Sequence, residues 1–188
     1  MAADIPLERR LSQSAQLAKR AAIFHDIWFY YEGANTRSSI LDTMQNYSEF
    51  FRFDAHAHFI ALVVHLYALF ESRSNTINFP SLVREAERSE VFSAEAIIKA
   101  KGILAIAEPL FTKVSILRNN LFGHRSAHLS YKEAFTKAAI SPDQLRELAA
   151  YGLQIANLLL NARGLAEQEF HSLSLEHTKR LLSDLKAS

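Results

Sequence analysis

The 188-residue sequence predicts an all-α protein, and three observations support that class. Hydrophobic residues make up 49% of the chain, which is enough to fill a core. There are only 5 Gly and 4 Pro, which favours long helices joined by short loops over a turn-rich β fold. Apolar residues also recur at alternating intervals of three and four, the spacing of one helical face. We therefore expect one domain over residues 1–188, an antiparallel bundle of about five to seven helices with a peripheral C-terminal helix.

Four helices are predicted in the first half of the chain, because apolar side chains recur at helical spacing between residues that favour helix ends. Asp54 is placed to cap the third helix, and Pro80 fits the first turn of the fourth. Gly33 lies in the break after the first helix. The expected ranges are Arg10 to about Glu32, Ser38 or Ser39 to about Phe51, Asp54 to Ser72, and Ser81 to about Ser89.

The second half predicts a long helix that begins after Ser93, followed by three shorter helices. Pro109 lies inside the long helix, so we expect either a kink near Ala105 or two helices that meet at Glu108. The shorter helices are expected at Tyr131 to about Ala138, Ser141 to Arg163, and Ser174 to about Leu185.

The most apolar stretch, Ala55 to Phe70, contains three histidines and is shorter than the roughly 18 uninterrupted apolar residues that a membrane span needs. It predicts a buried helix. The segment Met1 to Arg10 lacks the apolar core of a signal peptide. The absence of cysteine excludes disulfides and thiolate metal sites. We therefore expect a cytoplasmic protein that has no membrane partner.

Positive charge is concentrated in one region of the sequence. Between Ala96 and Ala139 there are seven Lys or Arg but only two Glu, a net charge of +5, whereas the rest of the chain carries −4. Basic charge of this kind favours binding to a polyanion, because neutralising phosphates supplies much of nucleic-acid affinity. The alternative is an ordinary solvated face.

The polar residues of one segment are not explained by helix packing. Arg118 and Asn119 lie near the end of the long helix, and His124 follows Gly123, which gives the pattern R-N-x-x-x-x-H. On an unbroken helix, side chains six residues apart are rotated by about 240° and separated by roughly 9 Å along the axis. Two geometries could still bring them together. Gly123 could adopt a left-handed conformation that turns His124 back, or the motif could meet that of a second copy across a two-fold axis.

The pattern resembles the signature of the HEPN superfamily, small all-helical proteins that include many metal-independent ribonucleases and toxin or abortive-infection proteins. The run from Ile116 to Arg125 is most similar to the AbiU-type abortive-infection branch. The resemblance is firmest over a motif-bearing core of about residues 93–163, and it implies a HEPN-type bundle that forms a homodimer. One departure is Ser126, where relatives often have an acidic residue.

The resemblance implies a ribonuclease in which the RNA 2′-hydroxyl attacks the adjacent phosphate without a metal or another cofactor. Histidine suits proton transfer near neutral pH, and arginine suits the phosphate oxygens. We expect Arg118, Asn119 and His124 to form the catalytic set, in which Asn119 positions the other groups. The residues expected to bind RNA are Arg125, His128, Lys113 and Lys132.

A second interpretation is a non-catalytic HEPN-like module that binds RNA, a nucleotide or a protein partner. Arg118 would then form a salt bridge at the helix end, for example with Glu108, and His124 would bind the last helical carbonyls. A regulatory partner such as an antitoxin fits either interpretation. His25 and His65 are predicted to be packed histidines that each have one hydrogen-bonded nitrogen. The four-residue spacing of His124 and His128 can hold a metal on a helix, but no H-E-x-x-H pattern accompanies it.

Overall fold

A computed structural model describes residues 5–89, 91–123, 127–171 and 173–187. Within these ranges the chain forms eight α-helices and one π-helical turn and contains no strand. The helices are α1 (Leu7–Glu32), α2 (Ala34–Asn46), α3 (Ser48–Phe70), α4 (Phe79–Arg88), α5 (Ala94–Leu117), α6 (Tyr131–Ala138), α7 (Pro142–Asn161) and α8 (Leu173–Ala187), and the π turn is Arg118–Phe122. The predicted all-α class is confirmed.

Small polar side chains cap several of the helices. The Asn78 side chain accepts a 2.8 Å hydrogen bond from the Ser81 amide at the start of α4. Ser93 caps α5 in the same way. Reciprocal capping boxes begin α6 at Ser130 and α7 at Ser141. The predicted starts of α5, α6 and α7 are confirmed.

The predicted boundaries of the second and third helices are wrong. The second, α2, begins directly after Gly33, and α3 begins at Ser48, so Asp54 lies inside a helix instead of capping one. The Asp54 carboxylate accepts a 2.9 Å hydrogen bond from the Tyr31 hydroxyl of α1. The Asp54 carboxylate therefore binds a hydroxyl of another helix, in place of the backbone amide that it would bind as a helix cap. Ser174 does not cap the last helix either, because α8 begins one residue earlier.

The main hydrophobic core lies where α1 packs against α3 and α7, and where α5 packs against α3 and α7. Gly152 of α7 packs against α1, and a Cβ added there would lie 3.5 Å from the Cβ of Ala18, an ordinary van der Waals contact. The long helix α5 continues through Pro109, so the alternative of two helices meeting at Glu108 is wrong. Pro109 lies on the exposed side of α5, while Ala107 and Leu110 anchor that turn in the core.

The C-terminal helix lies at the periphery. α8 contacts α1 and α2, and Leu182, which is only 2% exposed, is its buried residue within the described range. Leu182 joins a second, smaller cluster that includes Ile27, Tyr31 and Met44. The predicted peripheral position of this helix is confirmed.

By length and composition alone, α3 could cross a membrane, a test that core helices of soluble proteins also pass. One side of α3 packs in the core through residues such as Leu62 and Leu66, both fully buried. The other side exposes Phe50 (58%), Phe53 (64%) and Val64 (41%). The predicted buried helix is therefore buried on one face and leaves an apolar face uncovered.

Candidate functional site

The long helix α5 ends in a π turn that carries the first half of the motif. The Gly123 amide donates a 2.6 Å hydrogen bond to the Arg118 carbonyl, five residues back, instead of the usual four. The side-chain amide of Asn120 donates a 2.7 Å hydrogen bond to the Ile116 carbonyl. This carbonyl thus has a donor at the point where the regular backbone hydrogen bonds of the helix are interrupted. Single π turns inside or at the end of α-helices are frequently found at functional sites.

A side chain added at Gly123 would be limited by space and not by the backbone conformation. Its φ of −89° and ψ of −46° are right-handed helical values, so the alternative in which a left-handed Gly123 turns His124 back is wrong. A Cβ at this position would lie 2.7 Å from Nη1 and 2.8 Å from Cζ of Arg118, closer than a real Cβ tolerates. The absent side chain of Gly123 therefore leaves room for the guanidinium of Arg118.

The Arg118 guanidinium is held by an aromatic ring and an amide. Its Cζ lies 4.6 Å from the centroid of the Tyr67 ring on α3, a cation–π distance. Nη1 donates a 3.1 Å hydrogen bond to Oδ1 of Asn119. No carboxylate pairs with Arg118 among the described residues, so the salt bridge to Glu108 is not formed. Arg118 is half-buried and Asn119 is exposed, so a positive charge is held in place at the surface.

Tyr67 is a site residue that the sequence did not indicate. Its ring packs on Phe111 of α5 at a centroid distance of 5.8 Å, which fixes the surface on which the guanidinium lies. Tyr67 lies in the apolar run of α3, far from the motif in sequence. No local spacing connects it to Arg118, because only the packing of α3 against α5 brings the two together.

Two predicted site residues, His124 and Arg125, lie outside the described residues, as does Ser126. After this gap, His128 is exposed, and Lys132 is exposed in the first turn of α6. This helix packs against α5 and the π turn, so Lys132 lies on an element that adjoins the motif.

Lys113 lies on a different side of α5 from Arg118. Its ammonium donates to the Ala139 carbonyl at 2.9 Å and to Oε1 of Gln144 at 3.0 Å. These bonds connect α5 to the link between α6 and α7. Residues five apart on a helix are rotated by roughly 140°, so the structure does not bring Lys113 and Arg118 together.

His25 and His65 are packed as predicted, but His25 has partners at both ring nitrogens, because its Nδ1 lies 3.4 Å from Oδ1 of Asp26. Nε2 of His25 lies 3.0 Å from the Pro142 carbonyl oxygen, and Nδ1 of His65 lies 2.7 Å from the Ala61 carbonyl oxygen. Burial lowers the pKa of His65 from its usual 6.5, because the surrounding apolar side chains disfavour its charged form. Within the ranges given above, no group of three or more His, Asp or Glu side chains is arranged to hold a metal ion.

These features define an all-helical protein that presents an arginine and an asparagine at a π turn. The family model HEPN AbiU2, described as AbiU2, matches residues 4–180, so the chain belongs to the AbiU2 family of HEPN proteins. The resemblance noted from the sequence is confirmed, and the match extends well beyond the motif-bearing core. No curated protein and no solved structure matches the chain.

Proposed function

We propose that this protein is a metal-independent endoribonuclease of the defence or toxin type that acts as a homodimer. The 2′-hydroxyl oxygen of the RNA forms a bond to the adjacent phosphorus, and the bond to the 5′-oxygen of the next nucleotide breaks. The 2′-hydroxyl loses its proton and the departing 5′-oxygen gains one. The products are a 2′,3′-cyclic phosphate and a 5′-hydroxyl end.

His124 is assigned to proton transfer, because imidazole changes its charge near neutral pH. Arg118 is assigned to the phosphate oxygens, where its permanent charge and planar fork stabilise the pentavalent centre. Asn119 orients the guanidinium through their 3.1 Å hydrogen bond, and its exposed side chain can bind a phosphate or ribose oxygen. Arg125, His128 and Lys132 are assigned to binding the RNA backbone.

The observation that carries this proposal is the environment of Arg118. A guanidinium already paired with a carboxylate would have to lose that partner before it could bind a phosphate. Arg118 instead lies over Tyr67, beside the exposed Asn119, and pairs with no carboxylate in the described part of the chain. Its chain position also places it one π turn before Gly123, the residue that precedes His124. This arrangement favours anion binding over a purely structural role.

The exposed face of α3 supports a two-subunit site. Phe53, Ala57, Ile60, Val64 and Tyr67 recur along α3 at alternating intervals of four and three, so they share one face. We call this set the α3 stripe. Contiguous apolar side chains at a surface are typical of protein interfaces. A second copy that covers the Val64 end of the stripe lies beside Tyr67, and therefore beside Arg118.

The proposal is tested by incubating RNA with the purified protein in the presence of a chelator. We expect wild-type protein to cut RNA and leave 2′,3′-cyclic phosphate ends. The Arg118→Ala and His124→Ala variants should each lose activity by roughly 100-fold or more, the size of a typical acid–base or charge contribution. Arg180→Ala is the matched control, because Arg180 is exposed on α8, and it should retain full activity.

Three outcomes would contradict the proposal. Intact RNA after incubation with wild-type protein would exclude the nuclease. Binding that is unaffected by His124→Ala but weakened by Arg118→Ala, without any cleavage, would instead select a non-catalytic RNA-binding module. Equal cleavage by all variants would show that the reaction takes place elsewhere in the chain.

A further inference from the structure

An open cavity of about 610 Å³ lies among α1, α2, α3 and α6. Its volume falls in the range of small-molecule sites, which is roughly 300–1,000 Å³. Flat aromatic side chains form much of its wall, including Trp28, Phe59, Tyr131 and Phe135. Trp28 is half-buried and Tyr131 is 40% exposed, so both rings are accessible from solvent.

The aromatic wall of this cavity is continuous with the motif. Trp28 contacts Phe59 at a centroid distance of 4.8 Å, and Phe59 stacks on Phe135 at 5.6 Å. Phe59 also contacts Phe122, a residue of the π turn, at 5.8 Å. His56, at the cavity rim, lies 6.2 Å from Phe122. A molecule bound in the cavity would therefore contact Phe59, and this one ring would separate it from Phe122 of the π turn.

Two arginines and one glutamate are among the residues that line the cavity. Arg37 pairs with Glu32, and both line the cavity. Arg52 also lines it and pairs with Glu49 at 2.8 Å, but the two side chains are 67% and 73% exposed. Ion pairs exposed to this degree contribute little free energy, so an incoming phosphate can replace the carboxylate. The rim is thus suited to an anionic group, while the wall is suited to a flat ring.

We infer that this cavity binds a nucleobase, with the attached phosphate at Arg52. A base stacks on aromatic rings whatever its identity, since every base has a π face. On the proposed function, which this inference rests on, the base belongs to the RNA substrate and the cavity holds the nucleotide near the cleaved bond. A free mononucleotide has the same chemistry, and the experiments below distinguish the two sources.

Trp28 is the single tryptophan of the chain, so its fluorescence reports directly on the cavity. The intact protein is titrated with AMP, UMP and ribose 5-phosphate. We expect the two nucleotides to quench Trp28 fluorescence with saturation and the base-free sugar phosphate to have no effect. Failure of both nucleotides to change the fluorescence at millimolar concentration, together with no binding by calorimetry, would overturn the inference.

Two pairs of variants locate the bound groups. Tyr131→Ala removes one stacking ring and should weaken nucleotide binding at least about tenfold, whereas Tyr151→Ala on α7 should not. Arg52→Ala should weaken AMP binding but leave adenosine binding unchanged, and Arg180→Ala should affect neither. Unchanged binding in both Tyr131→Ala and Arg52→Ala would place the nucleotide outside the cavity and overturn the inference.

A comparison of an oligonucleotide with a mononucleotide identifies the source of the base. A 2′-deoxy oligonucleotide cannot be cleaved by the proposed reaction, so its affinity is measured independently of catalysis. If the base comes from RNA, the oligonucleotide binds more tightly than AMP. Tyr131→Ala then weakens oligonucleotide binding by a factor similar to that for AMP. Tighter binding of AMP would assign the cavity to a free nucleotide.

The same variants separate failure of this inference from failure of the proposed function. If wild-type protein cleaves RNA and Tyr131→Ala neither weakens binding nor alters which bases flank the cut, the nuclease stands and the cavity assignment is wrong. If nucleotides bind at Trp28 and RNA stays intact, the cavity assignment stands and the nuclease is wrong.

Discussion

Replacing Gly123 with alanine tests whether the position of the Arg118 guanidinium matters for function. The backbone of Gly123 is already right-handed, so alanine fits it without strain. Its Cβ, however, would lie 2.7 Å from Nη1, 2.8 Å from Cζ and 3.0 Å from Nε of Arg118. Since a guanidinium is the end of a flexible side chain, it will move rather than the backbone. Arg118 then leaves the face of Tyr67.

The expected effects on stability and on activity differ in size. Loss of an exposed cation–π contact costs about 0.5–1 kcal/mol. Replacement of glycine by alanine in a compatible conformation raises the free energy of unfolding by roughly 0.4–1 kcal/mol. The two nearly cancel, so the melting temperature should change by no more than about 3 °C for a chain of this size. A displacement of about 1 Å at a catalytic group can reduce the rate roughly 100-fold.

Cleavage assays and thermal melts measure these two effects, and Gly102→Ala is the matched control. Gly102 lies in α5 with no other atom within 4 Å of an added Cβ, so alanine should stabilise the helix and leave cleavage unchanged. Nuclear magnetic resonance of the Arg118 Nε–H gives a readout independent of activity, since the ring current of Tyr67 shifts it. Wild-type cleavage by Gly123→Ala, with that ring-current shift lost, would refute the reasoning.

Three further predictions concern the subunit interface, Lys113 and pH. Val64→Glu places a charge in the α3 stripe, so it should convert the proposed dimer to monomers in sedimentation experiments and abolish cleavage. Leu181→Glu, at an exposed position of α8, should do neither. Lys113→Ala should lower the free energy of unfolding by about 1 kcal/mol through loss of its bonds to Ala139 and Gln144. If RNA affinity falls instead and stability does not, the sequence-based assignment of Lys113 to RNA binding is right. The folded pKa of His65 lies below its usual 6.5, so the unfolded chain binds the extra proton first, and stability should fall as pH drops below about 6.5. In thermal melts between pH 7.5 and 5.5, the melting temperature of His65→Gln should fall less than that of the wild-type protein.

The helices whose ends are determined locally were predicted well from the sequence. The start of α7 follows from Ser141, Pro142 and Gln144, which form a capping box within four residues. The boundary between α2 and α3 was predicted wrongly, because several polar residues between Gly33 and Asn78 can cap a helix. Contacts between helices determine which of these residues begins a helix. Asp54, for example, bonds the Tyr31 hydroxyl and so stays inside α3.

The candidate site was predicted in part. Arg118 and Asn119 lie at the end of the long helix as predicted, but the hydrogen bond between their side chains was not predicted. The π turn was not predicted, since it depends on the bond from the Gly123 amide to the Arg118 carbonyl, which no spacing indicates. One of the two geometries considered from the sequence, a left-handed Gly123, is not found, and the absent side chain of Gly123 instead leaves room for the Arg118 guanidinium. Tyr67 was missed because it reaches Arg118 only through the packing of α3 on α5.

The central claim is that Arg118 and His124 act on one RNA phosphodiester where two subunits meet. Mixing Arg118→Ala protein with His124→Ala protein under conditions that allow subunit exchange tests it most directly. Each variant alone should be inactive, and the mixed dimer retains one intact Arg118 and one intact His124. We predict that the mixture recovers cleavage and again produces 2′,3′-cyclic phosphate ends. A mixture that exchanges subunits, as shown by mass spectrometry, and stays inactive would contradict the shared site.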